Sequence, residues 1–464
     1  MKSHYPLVII GAGPAGLAAA TTASEHGIET ALLDEQPAPG GQIYRNIESM
    51  PTQRAELLGS EYQRGEKLVQ LMRSSNTHYF SDAFVWSLNG QLELGVLHQG
   101  RAHLIHADQV IIAGGAQERP VPFPGWTLPG VMNAGAGQIL LKQSGLVPSD
   151  GVVLAGSGPL LLLLAWQYLN AGVDVKAVLD VQPMSNWLRA APYLPKALLA
   201  HHYITKGLRY KRDLKAAGVL TRHGVKDLRA IGGGHVQAVD YIHRNKLYSI
   251  KTPLLLTHFG VIPQTHLSRA ASCAHEWNTA QQCWRPVNDV WGATDIKGIS
   301  VAGDNAGIGG ARTAEHNGRL AAFNAIHQMG HISQGERDKK AKKDLRWMKD
   351  ELLIRPFLDA MFRPPSIMLT HPTDEEILCR CEEVTAGDIR KVLEEGHQTP
   401  NAVKFHTRCG MGPCQGRQCA DSVAQLIAYE TGTNPRDIEP YRVRPPVKPI
   451  TIGQLAGMEQ NSEE

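Results

Sequence analysis

Five of the seven cysteines lie in the last fifth of the 464-residue chain, at spacings typical of a metal site. Cys379 and Cys381 flank a single residue, and side chains two positions apart on an extended segment point the same way, so both could bind one iron. Cys409 and Cys414 lie on a glycine-rich loop that is flexible enough to wrap a second iron. Cys419 follows as a spare thiol that could replace Cys414.

Four thiolates suit either an iron–sulfur cluster or zinc. Zinc sites usually use C-x-x-C pairs, whereas this chain has C-x-C followed by C-x4-C. The spacing therefore favours a 2Fe-2S cluster, with zinc and free thiols as the alternatives. The two remaining cysteines, Cys273 and Cys283, are predicted to be buried structural thiols.

A nucleotide site is indicated at the N-terminus, where Gly11, Gly13 and Gly16 fit G-x-G-x-x-G after a predicted strand over residues 7–10. The first glycine permits a tight turn, the second lets the backbone approach a pyrophosphate, and the third lets helix and strand pack closely. Asp34 ends the next predicted strand, 23 residues after Gly11, at the spacing of a ribose-binding acid. This order predicts a dinucleotide site; a signal peptide or a packing loop without a nucleotide fits less well.

Two further segments could contact the same ligand. Residues 39–45 read Pro-Gly-Gly-Gln-Ile-Tyr-Arg, a loop able to touch a second part of a long dinucleotide. Much later, a predicted strand ends at Gly303 and Asp304, before a glycine-rich turn and a predicted helix over residues 311–326. A second helix N-terminus and a carboxylate are thus expected beside the first glycine loop.

These elements resemble flavoproteins of the thioredoxin-reductase and ferredoxin-reductase type. The resemblance implies an α/β fold of two nested dinucleotide-binding, Rossmann-like domains that binds FAD. It places the first three glycines at the pyrophosphate, Asp34 at the adenosine ribose and Asp304 at the ribityl chain. Residues 111–116 match that family's first crossover between domains. The expected cofactor-binding residues are Gly11, Gly13, Pro14, Ala15, Gly16, Asp34, Glu35, Gly41, Gln42, Arg45, Ala113, Gly114, Gly303 and Asp304.

A second glycine-rich loop over residues 156–159 begins an inserted unit, and Asp180 follows at the ribose-acid spacing. Leu161 occupies the third glycine position, where its side chain would crowd the helix against the strand. The fold is expected to persist, while nicotinamide binding and an empty site both stay open. Residues 1–370 contain no C-x-x-C dithiol, which argues against a disulfide reductase.

The order of these segments predicts three folded units, in agreement with a length that allows two to four domains. The expected divisions are an FAD-type domain over 1–116 and 261–330, an inserted dinucleotide-type domain over 117–260, a helical connector over 331–370, a 2Fe-2S domain over 371–435 and a tail over 436–464.

Composition excludes several other classes. An apolar share of 42% and a charged share of 20% are those of a globular protein. A net charge of +3 is too small to indicate nucleic acid or an anionic membrane as the partner. No apolar run reaches the ~18 residues of a spanning helix, so no transmembrane segment is expected.

The cysteine-rich segment resembles the bacterioferritin-associated-ferredoxin-like 2Fe-2S domain, whose ligands would correspond to Cys379, Cys381, Cys409 and Cys414. Nearly the whole chain resembles the large subunits of multicomponent amine and amino-acid dehydrogenases. That family includes the large component of opine oxidase, the alpha subunit of D-hydroxyproline dehydrogenase, and the middle subunit of hydrogen cyanide synthase. The segments that carry this resemblance are residues 40–45, 125–131, 379–385, 408–417 and 441–446.

The family resemblance implies a role in electron transfer. An opine, D-hydroxyproline or a related amino acid would be oxidised on a partner, an FAD-dependent beta subunit of amino-acid-oxidase type, and a small third subunit could be present. An FMN would lie at the subunit interface, and electrons would leave through the 2Fe-2S cluster to a quinone or dye-like acceptor. The expected location is the cytoplasm, with the surface of the inner membrane as an alternative.

Three functions are therefore compatible with the sequence. The first is the alpha subunit of such a complex. The second is a self-sufficient NAD(P)H-dependent reductase that passes electrons through FAD to its own cluster. In the third, the first nucleotide site holds FAD, NAD or ATP only to stabilise the fold.

Overall fold

The structure, a computed structural model, describes residues 1–366, 368 and 371–458. The strands are β1 (His4–Ile10), β2 (Thr30–Leu33), β3 (His78–Phe80), β4 (Phe84–Leu88), β5 (Glu93–His98), β6 (Arg101–Ile112), β7 (Ala116–Glu118), β8 (Val131–Asn133), β9 (Val152–Gly156), β10 (Val175–Asp180), β11 (Leu220–His223), β12 (Lys226–Ile231), β13 (Ala238–His243), β14 (Lys246–Lys251), β15 (Leu254–His258), β16 (Val261–Pro263), β17 (His275–Asn278), β18 (Cys283–Pro286), β19 (Ile299–Val301), β20 (Ile377–Cys379) and β21 (Val384–Thr385).

Several helices, among them Pro14–Ser24 and Ala311–Gln328, are alanine-rich and largely buried. The helices are Pro14–Ser24, Thr52–Leu58, Ser60–Arg73, Ala134–Ser144, Pro159–Asn170, Met184–Ala190, Leu194–Ala197, His201–Ala216, His266–Ala270, Ala311–Gln328, Gln334–Glu351, Arg355–Met361, Ala386–Glu394, Pro400–Thr407, Ala420–Glu430 and Ile452–Ala456. No helix among the described residues combines the length and the apolar character needed to cross a membrane.

The first sheet has the order β3-β2-β1-β6-β5-β4, with β19 also paired to β6. Strands β1, β2, β3, β6 and β19 are parallel, and β4 and β5 complete an antiparallel meander with β6. Residues 7–9 of β1 are fully buried, because helices cover one face of the parallel strands and residues of the β4–β5–β6 meander pack against the other. Two of those helices approach closely at Gly318, where a Cβ would lie 2.0 Å from the carbonyl oxygen of Ala15.

The second sheet is parallel, with the order β11-β10-β9-β15-β8, and the antiparallel sheet β12-β13-β14 lies beside it. The chain crosses between the two sheets twice, through β7 and through β16. These two strands pair with each other in an antiparallel ribbon, with Glu118 opposite Val261 and Ala116 opposite Pro263. The carboxyl ends of β1 and β9, where the two glycine loops begin, therefore lie on either side of this ribbon.

A small C-terminal module, residues 371–458, has its own core. Leu378, Ile389, Val403 and Leu426 pack together with Tyr441 and with three of the cysteines. Its first helix, Ala386–Glu394, begins with a capping box in which Thr385 and Asp388 satisfy each other's backbone amides. The module therefore folds around the cysteines.

Candidate functional site

The first glycine loop has the close backbone packing that its motif predicts. The amide of Gly11 donates to the carbonyl of Leu33 at 2.7 Å, which joins the loop to β2. A Cβ on Gly16 would lie 1.8 Å from the carbonyl oxygen of Gly11, so only glycine allows the helix to start there. A Cβ on Gly13 would meet no protein atom closer than 3.9 Å. The side of Gly13 that lacks a side chain is thus open.

Asp34 braces this loop from β2. Its Oδ2 accepts from the amide of Ala12 at 2.5 Å, and its Oδ1 accepts from the amide of Gln36 at 2.7 Å. Burial raises the pKa of the Asp34 carboxyl, and the two backbone amides lower it. Both oxygens of Asp34 are thus engaged by the backbone, so ribose binding, still a prediction, would have to use their second lone pairs. The next acid, Glu35, forms an ion pair with Lys448 from the C-terminal module.

The Gly-Gly loop lies against the first glycine loop and carries a buried cation. The amide of Gly40 donates to the carbonyl of Ala12 at 2.8 Å. Arg45 is 6% exposed and donates to Gln42 Oε1 at 2.9 Å and to Gln36, while its Nε has no partner among the described residues. Burial lowers the pKa of Arg45. A buried guanidinium with a spare donor suits an anionic ligand such as a phosphate.

Lys142 adds a second buried cation, which the sequence analysis missed. It reaches from the inserted domain, donating to the carbonyl of Gln42 at 3.1 Å and to Gln138 Oε1 at 3.0 Å. Burial, with the nearby charge of Arg45, lowers the pKa of Lys142 to about 7. Lys142 does not line the cavity described below, so its contact is with the backbone of the loop. A lone lysine near the end of a helix gives no sequence signal for such a contact.

We expect the stability of the protein to depend on pH through Lys142. Because its folded pKa of about 7 lies below the value of 10.5 for a free side chain, the unfolded chain binds an extra proton between these pH values. The free energy of unfolding of the native chain should therefore rise by a few kcal/mol from pH 7 to pH 10, relative to Lys142→Met. Denaturant titrations of both chains across this range measure the difference, and parallel curves would contradict the expectation.

The far side of the site comes from the ends of β6 and β19. Ala113 lies under Gly11, where a Cβ would meet its carbonyl oxygen at 2.6 Å. Asp304 Oδ1 accepts from the amides of Gly309 at 2.8 Å and Gly310 at 2.9 Å, just before the helix Ala311–Gln328. Asn305 is fully buried, its Oδ1 has no partner among the described residues, and it does not line the cavity described below. Gly303 and Asp304 are residues of this wall that a ligand in that cavity could reach.

One cavity of about 1110 Å³ joins these elements. Of the cofactor-binding residues expected from the sequence, Gly16 alone does not line it, because Gly16 serves the packing of the helix. The cavity extends along the crossover to Pro159 of the second glycine loop and to Arg417 and Lys448 of the C-terminal module. The structure thus brings the N-terminal and C-terminal candidate sites to one space.

The second glycine loop differs from the first because a histidine stands over it. His258 is 4% exposed, and its Nδ1 lies 2.6 Å from Glu118 Oε1, while Glu118 Oε2 accepts from the amide of Gly135 at 2.7 Å. A Cβ on Gly158 would lie 2.9 Å from Cδ2 of His258. The imidazole is therefore packed against Gly158 and narrows the space beside this loop, although Gly158 and Pro159 still line the cavity. The sequence analysis did not single out Glu118 or assign His258 a role.

The five C-terminal cysteines gather in one place. The Sγ atoms of Cys379, Cys409 and Cys419 all lie within 4.8 Å of one another, and all three residues are buried. Cys381 and Cys414 are half-buried, and their thiols are close enough to affect each other's ionisation. The structure thus differs from the expected pairing. Cys381 lies in the turn after β20, outside the extended strand, and Cys419 joins the buried group as fully as Cys409 does.

Donors surround the buried thiols. Tyr441 Oη donates to Cys409 Sγ at 3.1 Å, and the amide of Gly410 lies 3.5 Å from Cys379 Sγ. Hydrogen bonds from the neighbouring thiols and from Gly410 lower the pKa of Cys379. Lys404 lies over the Tyr441 ring at 5.7 Å. These donors suit a group of thiolates.

Of the other basic residues near the cysteines in sequence, Arg417 is the best placed. It donates to the carbonyl of Cys414 at 3.1 Å and to the carbonyl of Val447 at 2.6 Å. Arg408 instead points to solvent, where it pairs with Glu382 at 3.0 Å.

The module is docked on the crossover by buried polar contacts. Arg119, 2% exposed, donates to Asp421 Oδ2 at 2.7 Å and to the carbonyls of Gln281 and Gln282 at 2.8 and 2.9 Å. Trp126 Nε1 donates to the carbonyl of Ile377 at 2.8 Å. These contacts hold the cysteines beside the cavity.

Arg119→Ala is expected to loosen the module by about 3–5 kcal/mol, because it leaves the carboxylate of Asp421 largely buried without its partner. Hydrogen exchange over residues 371–458 should rise, and the unfolding midpoint should fall. Arg436→Ala is the matched control, since its ion pair with Asp437 is exposed and such pairs contribute less than about 1 kcal/mol. Equal protection in both variants would contradict the docking role.

Comparison with known proteins agrees with this architecture. The pyridine nucleotide-disulphide oxidoreductase family matches residues 5–319, and the sarcosine oxidase A3 domain matches residues 374–458. The opine oxidase A subunit of Agrobacterium tumefaciens (strain Ach5) is 42% identical over 98% of this chain and 92% of its own length. Hydrogen cyanide synthase subunit HcnB of Pseudomonas aeruginosa is 32% identical over 97% of this chain and 98% of its own length.

A solved structure shows the same fold over nearly the whole chain. L-proline dehydrogenase from P. horikoshii superposes with a TM-score of 0.72 at 19% identity, covering 97% of this chain and 79% of that one. The predicted α/β class and the oxidoreductase fold are therefore confirmed. The ferredoxin-like character of the C-terminal module stays a prediction.

Proposed function

The chain belongs to the pyridine nucleotide-disulphide oxidoreductase family and, within it, to the group of opine oxidase A subunits, and from this premise we propose that it is the electron-transfer alpha subunit of a heteromeric amino-acid dehydrogenase. In this proposal a partner, an FAD-dependent subunit of amino-acid-oxidase type, oxidises a CH–NH bond. The substrate is an opine, D-hydroxyproline or a related secondary-amine amino acid. A quinone or dye-like molecule is the final acceptor.

The observation that carries the proposal is the shared cavity. Gly13 and Asp304 line it from the first nucleotide domain, and Arg417 and Lys448 line it from the cysteine-rich module. A dinucleotide held by the glycine loop would therefore lie in the same space as the module that gathers the thiols. This arrangement supports electron exchange between the two sites within one chain.

The donor set fits a 2Fe-2S cluster. Five thiols meet, three of them buried, with Tyr441 and the amide of Gly410 close enough to donate to sulfur and with Arg417 bonded to the loop of Cys414. We propose Cys379 and Cys381 as ligands, together with two of Cys409, Cys414 and Cys419. Bound flavins take up electron pairs and release single electrons, which 2Fe-2S clusters can accept.

We propose FAD for the first nucleotide site, with NAD or ATP as the alternatives, and an FMN at the interface with the partner. Arg45 and the helix beginning at Pro14 would face the ligand's phosphates, and Asp304 its polyhydroxyl chain. The location that we propose for the complex is the cytoplasm.

Expression with and without its partners tests the proposal. The chain is produced alone and together with the products of its neighbouring open reading frames, and dye reduction is measured with octopine, nopaline and D-hydroxyproline. We expect turnover with the complex and background rates with the chain alone. If the isolated chain oxidised these substrates at the rate of the complex, the proposal would be wrong.

The second candidate, a self-sufficient NAD(P)H-dependent reductase, is favoured by the intact parallel sheet of the inserted domain and by Asp180 at the end of β10. His258 over the second glycine loop opposes it. Anaerobic mixing with NADH and NADPH distinguishes the two candidates. Bleaching of a bound flavin within seconds would favour the reductase, whereas the alpha-subunit proposal expects no such bleaching.

A further inference from the structure

One segment of the inserted domain exposes an unusual number of large apolar residues. A globular helix buries most of its large apolar side chains and exposes polar ones. Over residues 184–216 Tyr210 and Leu214 are buried, but six large apolar residues are between 50% and 77% accessible: Met184, Trp187, Leu188, Leu198, Leu199 and Leu208. We call the exposed side chains of residues 184–216 the 184–216 surface.

Small residues hold this surface to the body of the protein. Ala190, Ala197 and Ala200 are buried, and the last two pack with Ile354 in a small separate core. Asn186 Nδ2 donates to the carbonyls of Met361 and Arg363 at 3.2 and 2.9 Å. Leu214 and Tyr210 are buried as well, so these few inward side chains anchor the segment while its other leucines and Trp187 stay exposed.

The same residues hold the positive charge of the chain. Residues 184–216 contain seven Lys and Arg and a single acid, Asp213, a net charge of +6, whereas the whole chain carries only +3. The remainder is therefore net negative. Within the 184–216 surface Lys211 lies over the ring of Trp187 at 5.9 Å, so basic and apolar groups are neighbours.

From this pairing we propose that the 184–216 surface binds an anionic lipid bilayer at its interface, an interaction beyond the proposed redox function and independent of it. Exposed leucine, tryptophan and tyrosine on short helices, flanked by lysine and arginine, are the composition of an interfacial membrane segment. Protein–protein interfaces are depleted in lysine, whereas this surface carries exposed Lys196 and Lys215, with Lys211 half-buried beside them and Lys206 paired with Glu61. The lysines therefore favour an anionic lipid over a protein as the binding partner, because the negative lipid headgroups would face them.

Vesicle flotation with the full-length chain tests the proposal. Phosphatidylcholine vesicles with 30 mol% phosphatidylglycerol are compared with pure phosphatidylcholine. We expect flotation with the anionic vesicles, at least tenfold more than with the neutral ones, and a loss of at least tenfold on raising the salt from 0.1 to 0.5 M. Absence of flotation, or equal flotation with both vesicles, would overturn the proposal.

Matched variants separate this surface from the rest of the molecule. Leu188→Glu with Leu199→Glu should reduce flotation at least tenfold, while Leu247→Glu, at a leucine 70% exposed on β14, should leave it within twofold. Lys196→Glu with Lys215→Glu should also reduce it at least tenfold, and the equal charge change at exposed Lys339 and Lys340 should not.

Thermal melts verify that each variant is folded. The salt series uses the native chain, so its result does not depend on the folding of any variant. Equal losses in the control variants would overturn the proposal. The proposal would also be overturned if the native chain did not float and the double variant Leu188→Glu with Leu199→Glu lost a subunit that co-purifies with the native chain. The surface would then be a protein interface.

Discussion

Gly13→Ala is expected to abolish dinucleotide binding while leaving the fold intact. The side chain added at Gly13 would meet no protein atom closer than 3.9 Å, and the backbone there is in a region that alanine adopts readily. Gly13 lines the cavity, however, at the position where the pyrophosphate must approach the backbone. We expect the affinity to fall at least about a hundredfold, roughly 2.7 kcal/mol.

The measurement is the amount and identity of nucleotide released on denaturation, with the thermal midpoint recorded beside it. Gly16→Ala is the informative comparison, because its Cβ would lie 1.8 Å from the carbonyl oxygen of Gly11 and should cost the fold itself. Full nucleotide content in a stable Gly13→Ala chain would show that the loop holds no pyrophosphate. Release of ATP or NAD without flavin would remove this site from the electron path.

Cys379→Ser is expected to produce a folded chain with almost no iron. Cys379 is buried against two other thiols, and serine cannot supply the soft thiolate that an iron–sulfur cluster needs. Anaerobically purified native chain should contain about two irons and two acid-labile sulfides. The variant should contain about a tenth of this or less and lose the visible absorption. Cys283→Ser is the control, because Cys283 is equally buried but lies outside the group.

The same experiment resolves which cysteines bind. A 2Fe-2S cluster needs four ligands and five thiols are at hand, so one of the serine variants at Cys409, Cys414 and Cys419 should keep its iron. One zinc per chain with no labile sulfide in the native protein would refute the cluster.

The residues that line the cavity at the first glycine loop could be predicted because their signals are local. The glycines at positions 11, 13 and 16 are fixed by backbone approach within one strand–loop–helix unit, so their spacing carries the geometry. The same holds for the acid at the end of β2, although the structure shows Asp34 bonded to the loop by both oxygens. The backbone geometry of such a short segment is determined mainly by the residue types within it.

The contacts that could not be predicted join residues far apart in the chain. Arg119 meets Asp421 across 302 positions, and His258 meets Glu118 across 140. Lys142 reaches a carbonyl of the other domain 100 positions away. The sequence around each of these residues gives no sign of its contact. The contacts form only when both domains and the module fold around the crossover.

The distribution of charge over the surface likewise could not be predicted from the sequence. From the net value of +3 we expected no attraction to an anionic membrane. The structure instead shows that residues 184–216, a segment with a net charge of +6, expose six large apolar side chains. A sum over the chain cannot record which residues are exposed together.

Residue types and near spacings were enough to indicate the oxidoreductase class, the first glycine loop and the thiol-rich segment, since each of these depends on a short stretch of chain. Three other features emerged only from the folded chain: Cys419 stands among the buried thiols, a histidine covers the second loop, and both candidate sites share one cavity. Those outcomes depend on packing between distant segments, where burial and close approach are set by the whole fold.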